Sequence, residues 1–158
     1  MLATEIMRRS FASVKPTTRL IDAARLLLES NQLGLPVLDN DGRLLGIVSE
    51  GDLLHRDELG VSLPSGNWVE AVLGIEEDGP ARERMRALGV ATIMTLDPAC
   101  VDESATVADV VVAMDRRRVV QVPVACADKV IGIVSRFELI AALERSLSRN
   151  DELAELSQ

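Results

Sequence analysis

Leu44-Leu45-Gly46-Ile47-Val48-Ser49-Glu50-Gly51-Asp52-Leu53-Leu54 decides the fold, because the stretch occurs twice. Its counterpart is Val130-Ile131-Gly132-Ile133-Val134-Ser135-Arg136-Phe137-Glu138-Leu139-Ile140, with Gly, Ile, Val, Ser and then Leu53/Leu139 recurring 86 residues on. Each copy reads as a short apolar strand, a Ser at a helix N-cap and a helix that opens with an acid. Such a junction presents backbone N–H groups, a hydroxyl and a carboxylate together. That combination suits a phosphorylated ribose.

The repeat extends outward from this stretch. At an offset of 87 residues, Ile6-Met7 matches Ile93-Met94, Ala12 matches Ala99 and Val14 matches Val101. Asp22 then matches Asp109, and Pro36-Val37 matches Pro123-Val124. The change of offset places a one-residue deletion in a hairpin turn, Asp39-Asn40-Asp41-Gly42 in one copy and Cys126-Ala127-Asp128 in the other. Strands tolerate a lost residue there and nowhere else, which supports an internal duplication.

The first copy reads as a helical turn at Thr4–Met7, an extended Ser13-Val14 and a helix from Leu20 to Ser30. Leu20, Ala23, Ala24, Leu27 and Leu28 share one face of that helix, and Asn31-Gln32 ends it. Strands over Leu35–Leu38 and Leu44–Ser49 and a helix from Glu50 towards Leu59 complete a β-α-β-β-α unit of the α/β class. The second copy predicts a helix over Val107–Arg117 and strands over Val119–Ala125 and Lys129–Val134. Its last helix carries Phe137, Leu139, Ile140 and Leu143. The chain divides as 1–59 (first repeat), 60–89 (insertion), 90–147 (second repeat) and 148–158 (a polar tail expected to fray). Within the insertion, Trp68–Ile75 and Ala81–Leu88 read as helices, with Trp68, Val72 and Leu73 packing over the core.

Composition excludes several functions. Of 158 residues 47% are hydrophobic but only 2% aromatic, so the core is aliphatic and no base-stacking platform exists. The net charge of −8, from 25 acids and 17 bases, argues against nucleic acid or an anionic membrane as partner. No apolar run reaches membrane-spanning length, and the N-terminus lacks a signal-peptide pattern, which points to the cytoplasm. Cys100 and Cys126 read as reduced, packed thiols. Phosphate-binding glycine loops are missing, and the single histidine, His55, has no metal-ligand or triad partner in sequence. Arg116-Arg117-Arg118 fits a helix C-terminus. No catalytic or metal-binding residues are read.

The pattern Ile-Met, helix, Leu-Pro-Val and then Gly-Ile-Val-Ser-x-x-Asp resembles the CBS domain, named after cystathionine β-synthase. Two tandem copies are similar to a CBS pair, or Bateman module, and the insertion is similar to that of small stand-alone bacterial CBS proteins. The resemblance implies repeats packed about a pseudo-twofold axis with two clefts. It also implies an adenosyl ligand there: AMP, ADP, ATP, S-adenosylmethionine or a nicotinamide dinucleotide. The family's Ser/Thr-x-x-Asp maps onto Ser49 and Asp52 in one site and onto Ser135 and Glu138 in the other. Carried over, Asp52 faces Cys100, Val119, Val120 and Gln121, and Glu138 faces Ser13, Gln32, Leu33 and Gly34. Arg136 adds a charge-assisted phosphate contact at the second site, where Glu50 in the first copy opposes one.

The implied function is a regulatory sensor that signals an adenine nucleotide through conformational change. The alternative is a ligand-free dimerisation or protein-interaction scaffold. A homodimer is expected in either case, because the closing helices carry Leu53, Leu54, Leu139, Ile140 and Leu143, one apolar face more than a monomer buries.

Overall fold

The computed structural model describes residues 1–55 and 86–155. The expected helix Trp68–Ile75, most of that over Ala81–Leu88, the far end of the helix towards Leu59 and the His55 side chain lie outside the described residues. The chain forms two compact units, Phe11–Pro98 and a second made of Met1–Ser10 with Ala99–Gln158.

In the Phe11–Pro98 unit, α2 (Leu20–Ser30; α1 is the turn Ala3–Ile6) buries Leu20, Ala23 and Leu27. It stops at Asn31, whose left-handed backbone (φ 52°) turns the chain and closes its N–H on Leu27 and Leu28 carbonyls. β1 (Gly34–Leu38) and β2 (Leu44–Ser49) then pair antiparallel. Asp39 shapes their turn: its Oδ1 accepts the N–H groups of Asp41 (2.8 Å) and Arg43 (2.9 Å), while Gly42 supplies φ +83°. α3 begins at Glu50 and is described to His55. β3 (Thr95–Leu96) pairs antiparallel with β2, and Val14 bridges β1 in parallel on the other side. Val14, Leu20, Ala23, Leu27, Leu35, Val37, Val48, Leu53, Val90 and Ile93 form the core.

The second unit repeats this plan with β4 (Val101–Asp102), α4 (Val107–Arg117), β5 (Gln121–Cys126), β6 (Lys129–Ser135) and α5 (Arg136–Glu155). β4 lies parallel to β5 and β6 antiparallel to it. The missing edge of the sheet comes from the start of the chain: Arg8 pairs with Ile133, and their N–H groups and carbonyls exchange bonds of 2.9 and 3.0 Å. Thr95 makes the same pairing with Ile47. Likewise Val107 N–H donates to Met1 O (3.1 Å), as Leu20 N–H donates to Leu88 O (2.9 Å). The segment that opens each sequence repeat therefore completes the compact unit containing the other repeat's hairpin.

This exchange explains two sequence motifs at once. A Cβ on Gly132 would lie 2.5 Å from Met7 Sδ, and one on Gly46 would lie 2.7 Å from the Thr95 carbonyl oxygen and 3.1 Å from Met94 Sδ. The glycine of Gly-Ile-Val-Ser is the seat of the Ile-Met segment.

Several expectations need correction. Leu28 is 80% exposed, because it lies at the margin of the α2 stripe and Leu27 takes the core position. Leu53 is buried and Leu139 half-buried, so only Leu54, Ile140 and Leu143 of the expected surplus face are exposed. Phe137 joins them at 63% exposure. Cys100 is exposed and not packed. β5 starts at Gln121, two residues later than expected, because Val119 N–H still closes the end of α4 on Met114 O (3.0 Å). α5 runs on through Ser148 to Glu155, past the point where a frayed tail was expected.

Candidate functional site

β2 delivers Ser49 to the start of α3, and the first turn of that helix brings Asp52 back over it. Ser49 N–H (2.9 Å) and Ser49 hydroxyl (3.2 Å) both donate to Asp52 Oδ2. Asp52 is 7% exposed, with its charge compensated by these donors. The second copy has the same wiring. Ser135 N–H donates to Glu138 Oε2 at 2.7 Å, and the Ser135 hydroxyl donates to the same oxygen. Ser135 Oγ also accepts the Phe137 N–H (3.2 Å). Ser135 is buried, Glu138 half-buried, and Arg136 exposed.

The predicted lining residues fall into two groups. In the Phe11–Pro98 unit, Gln32 is buried, and its carboxamide is engaged by the backbone of Ala12 and Gly34: Nε2 donates to Ala12 O and Gly34 O (3.0 Å each), and Oε1 accepts Ala12 N–H (2.6 Å). Ser13, next to this clamp, is exposed, Leu33 half-buried and Gly34 buried. Leu33 O accepts the Glu50 N–H (3.3 Å). In the other unit Cys100 is exposed, Val119 and Val120 are half-buried, Gln121 is buried, and Val120 O accepts the Arg136 N–H (3.2 Å). Each unit thus brings one Ser/acid pair together with the turn assigned to the other site. Joining Asp52 to Cys100, Val119, Val120 and Gln121, or Glu138 to Ser13, Gln32, Leu33 and Gly34, combines residues of different units and rests on the family pattern.

A third Ser/Thr-x-x-acid arrangement went unread in the sequence. Thr106 N–H (2.8 Å) and hydroxyl (2.7 Å) donate to Asp109 Oδ2, while Thr106 Oγ1 accepts Asp109 N–H (3.2 Å). These bonds, the hydroxyl's first, hold the Asp109 carboxyl below its ordinary value. Thr106 and Asp109 are exposed and start α4, so here the pattern is a helix cap. The spacing alone could have revealed it. The bonds from Glu50 to Leu33 and from Arg136 to Val120 left no such signal, since any residue supplies a backbone N–H and carbonyl.

Other chemistry is weak. The Cys126 thiol is pushed up by its hydrogen bond to Glu103 and by that residue's charge, which makes it a poor nucleophile. No group of three or more metal-ligating side chains occurs among the described residues. Arg116 and Arg117 sit in the last turn of α4, where cations oppose the helix dipole.

Tandem β-α-β-β-α units with a Ser/acid pair at each strand-to-helix junction define a CBS pair. The CBS domain family matches residues 3–58 and 90–145, and the chain belongs to that family. Among its relatives is an uncharacterized protein of Methanocaldococcus jannaschii, MJ1426, 32% identical over 154 residues, covering 90% of this chain and 91% of the relative. The chloroplastic CBS domain-containing protein CBSX2 of Arabidopsis thaliana is 31% identical over 85% of this chain, which spans 59% of that protein's length. A crystal structure of CBSX2 in complex with AMP matches at TM-score 0.68 and 30% identity, over 91% of this chain and 97% of that one. These matches indicate no enzyme family. No helix among the described residues is long and apolar enough to cross a membrane.

Proposed function

We propose that this chain is a non-catalytic regulatory module binding an adenosine-containing ligand, of the AMP, ADP or ATP kind, at two sites. One is built on Ser49 and Asp52, the other on Ser135, Arg136 and Glu138. The observation that carries the reading is the Ser–acid wiring at the equivalent strand-to-helix junction of both CBS repeats, with the acid buried or half-buried there and not exposed as in the Thr106–Asp109 cap. An ionised carboxylate accepts hydrogen bonds from a cis-diol, and a hydroxyl beside a helix start can turn to a phosphate. A nucleotide therefore exchanges an internal Ser–acid bond for contacts of its own, and that exchange is the conformational signal. The AMP complex of CBSX2 supports the ligand class.

The test is native mass spectrometry of the chain as purified from cells, joined to thermal melting with AMP, ADP, ATP and S-adenosylmethionine. A bound ligand raises the melting midpoint as its concentration passes Kd. No retained mass and no shift with any of the four overturns the sensor reading.

A scaffold is the second reading, favoured by one observation. α5 exposes Phe137 (63%), Ile140 (63%), Leu143 (58%) and Leu147 (56%) at helical spacing. We assign this face to a homodimer in either reading; light scattering that finds a 17.1 kDa species at tens of micromolar rejects it. Two free thiols suit a reducing, cytoplasmic setting.

A further inference from the structure

We infer that Met94 is a modification site: its thioether takes an oxygen from hydrogen peroxide or an organic hydroperoxide, and the resulting sulfoxide releases β3 from β2. The two copies seat their methionines alike and protect them unequally. In the Phe11–Pro98 unit a Cβ on Gly46 would lie 3.1 Å from Met94 Sδ and 3.3 Å from its Cγ, so the thioether lies against the glycine. Met94 is partly exposed there, at the margin of the core, whereas Met7 on Gly132 and Met114 in α4 are buried, at 8% and 5% exposure. A peroxide therefore reaches Met94 before either of the others. The neighbours of Met94 in the chain are Ile93, which is buried in the core, and Thr95, which pairs with Ile47 of β2. An accessible sulfur thus stands beside the contacts that hold β3 in place.

In the reaction a sulfur lone pair attacks one peroxide oxygen, the O–O bond breaks and an S–O bond forms. Sulfur is oxidised, and the peroxide is reduced to water or, for an organic hydroperoxide, to an alcohol. The product is a polar side chain in place of a flexible apolar one. Gly46 leaves room for a thioether and for little more, since a Cβ there would also meet the Thr95 carbonyl oxygen at 2.7 Å. The sulfoxide oxygen is a strong acceptor that is costly to bury, so the side chain swings off the glycine towards water. β3 consists of Thr95 and Leu96 alone, both exposed, and its pairing with β2 depends on the adjoining seat. β2 in turn ends at Ser49. Loosening its edge unsettles the start of the helix that carries Asp52 and lowers the affinity for AMP, a consequence that rests on the ligand site proposed above.

The test treats the full chain with hydrogen peroxide, maps oxygen uptake by peptide mass spectrometry and follows amide hydrogen exchange in β2 and β3 by NMR. Met94 is expected to be oxidised about tenfold faster than Met7 and Met114, and its oxidation to speed exchange in β2 and β3 by a similar factor. Met94→Leu keeps the volume, lacks the sulfur and retains both cysteines, so its exchange is expected to stay unchanged under the same peroxide. Should that chain fail to fold, methionine sulfoxide reductase acting on the oxidised wild type is expected to restore slow exchange. Uptake at Met94 no faster than at Met7, exchange that rises equally in Met94→Leu, or exchange that the reductase leaves fast overturns the proposal. Calorimetry with AMP separates it from the site reading. An unoxidised chain that binds no AMP overturns the site of Ser49 and Asp52, and an AMP affinity unmoved by oxidation of Met94 overturns the link from the seat to that site.

Discussion

Ser49–Asp52 and Ser135–Glu138 have the same wiring and different surroundings. Asp52 has a short stem, is nearly buried, and holds the Ser49 hydroxyl at 3.2 Å. Glu138 is one methylene longer and half-exposed, and the Ser135 hydroxyl that it holds also accepts Phe137 N–H. A phosphate that takes the serine hydroxyl would displace one Ser–acid bond at either position, and at Ser135 the Phe137 N–H can keep its hold on the same oxygen. The neighbours differ too: Gly51 precedes Asp52, whereas exposed Phe137 precedes Glu138 and exposed Arg136 stands where the first copy has Glu50. A duplicated motif can therefore keep its hydrogen-bond plan while its two copies diverge in how readily they exchange partners. On the proposed function, AMP, for which the diol dominates, is expected to fill the Asp52 site first, and a phosphate-rich ligand is expected to gain from Arg136 at the other.

The largest effect is expected where the copies seat their crossing segments. Gly46→Ala drives a methyl to 2.7 Å from the Thr95 carbonyl, a backbone atom, and should destabilise the chain by about 3 kcal/mol in urea unfolding. Gly132→Ala presses mainly on the flexible Met7 thioether and should cost less. The reverse order would show that the two seats are not packed as described. Next, Asp52→Ala should weaken AMP binding by roughly 1–3 kcal/mol, the scale of lost hydrogen bonds to a charged group, with Glu138→Ala costing less. Calorimetry decides between them; AMP binding abolished by Glu138→Ala and untouched by Asp52→Ala would reverse the ranking of the sites. A smaller change is expected from Arg136→Ala, which should weaken ATP by about 1 kcal/mol and AMP less. Equal losses for both ligands would remove Arg136 from the outer phosphates.

The smallest effect isolates capping from binding. Asp109 has a folded pKa below its unfolded value, through its bonds from Thr106. Its stabilisation is therefore present above about pH 4 and is lost as pH falls through the lowered folded value. Asp109→Asn should flatten that acid limb in pH-dependent unfolding and leave AMP affinity unchanged. If it weakens AMP binding as Asp52→Ala does, the contrast between a cap and a site collapses.

Much of the site was legible because helix capping is local. Ser followed three residues later by an acid places both groups on one helical turn whatever surrounds them, and both copies were read that way. The same logic applied to Thr106 and Asp109, which shows that the pattern by itself does not separate a cap from a ligand site. Gln32 was read as a lining residue, and only the folded chain shows its carboxamide tying Ala12 to Gly34. A glutamine has many rotamers, and the choice among them is made by the Ala12 backbone, 20 residues away in the chain, together with the Gly34 carbonyl.

By itself the sequence determined the duplication, the element order and the bounds of the two long internal helices. Leu20–Ser30 and Val107–Arg117 begin and end where periodicity and chain-turning residues put them, because their hydrogen bonds close within four residues. Only the tertiary structure decided which sheet each opening segment would complete. Ile6-Met7-Arg8 and Ile93-Met94-Thr95 are near equivalents, and a strand edge offers the same N–H and carbonyl groups to either. Pairing across that distance is set by chain connectivity and by glycines that leave room for a methionine, and neither has a local signature. The burial of Leu53, the exposure of Phe137 and Leu28, and the bonds from helix starts to neighbouring turns follow from the same non-local packing.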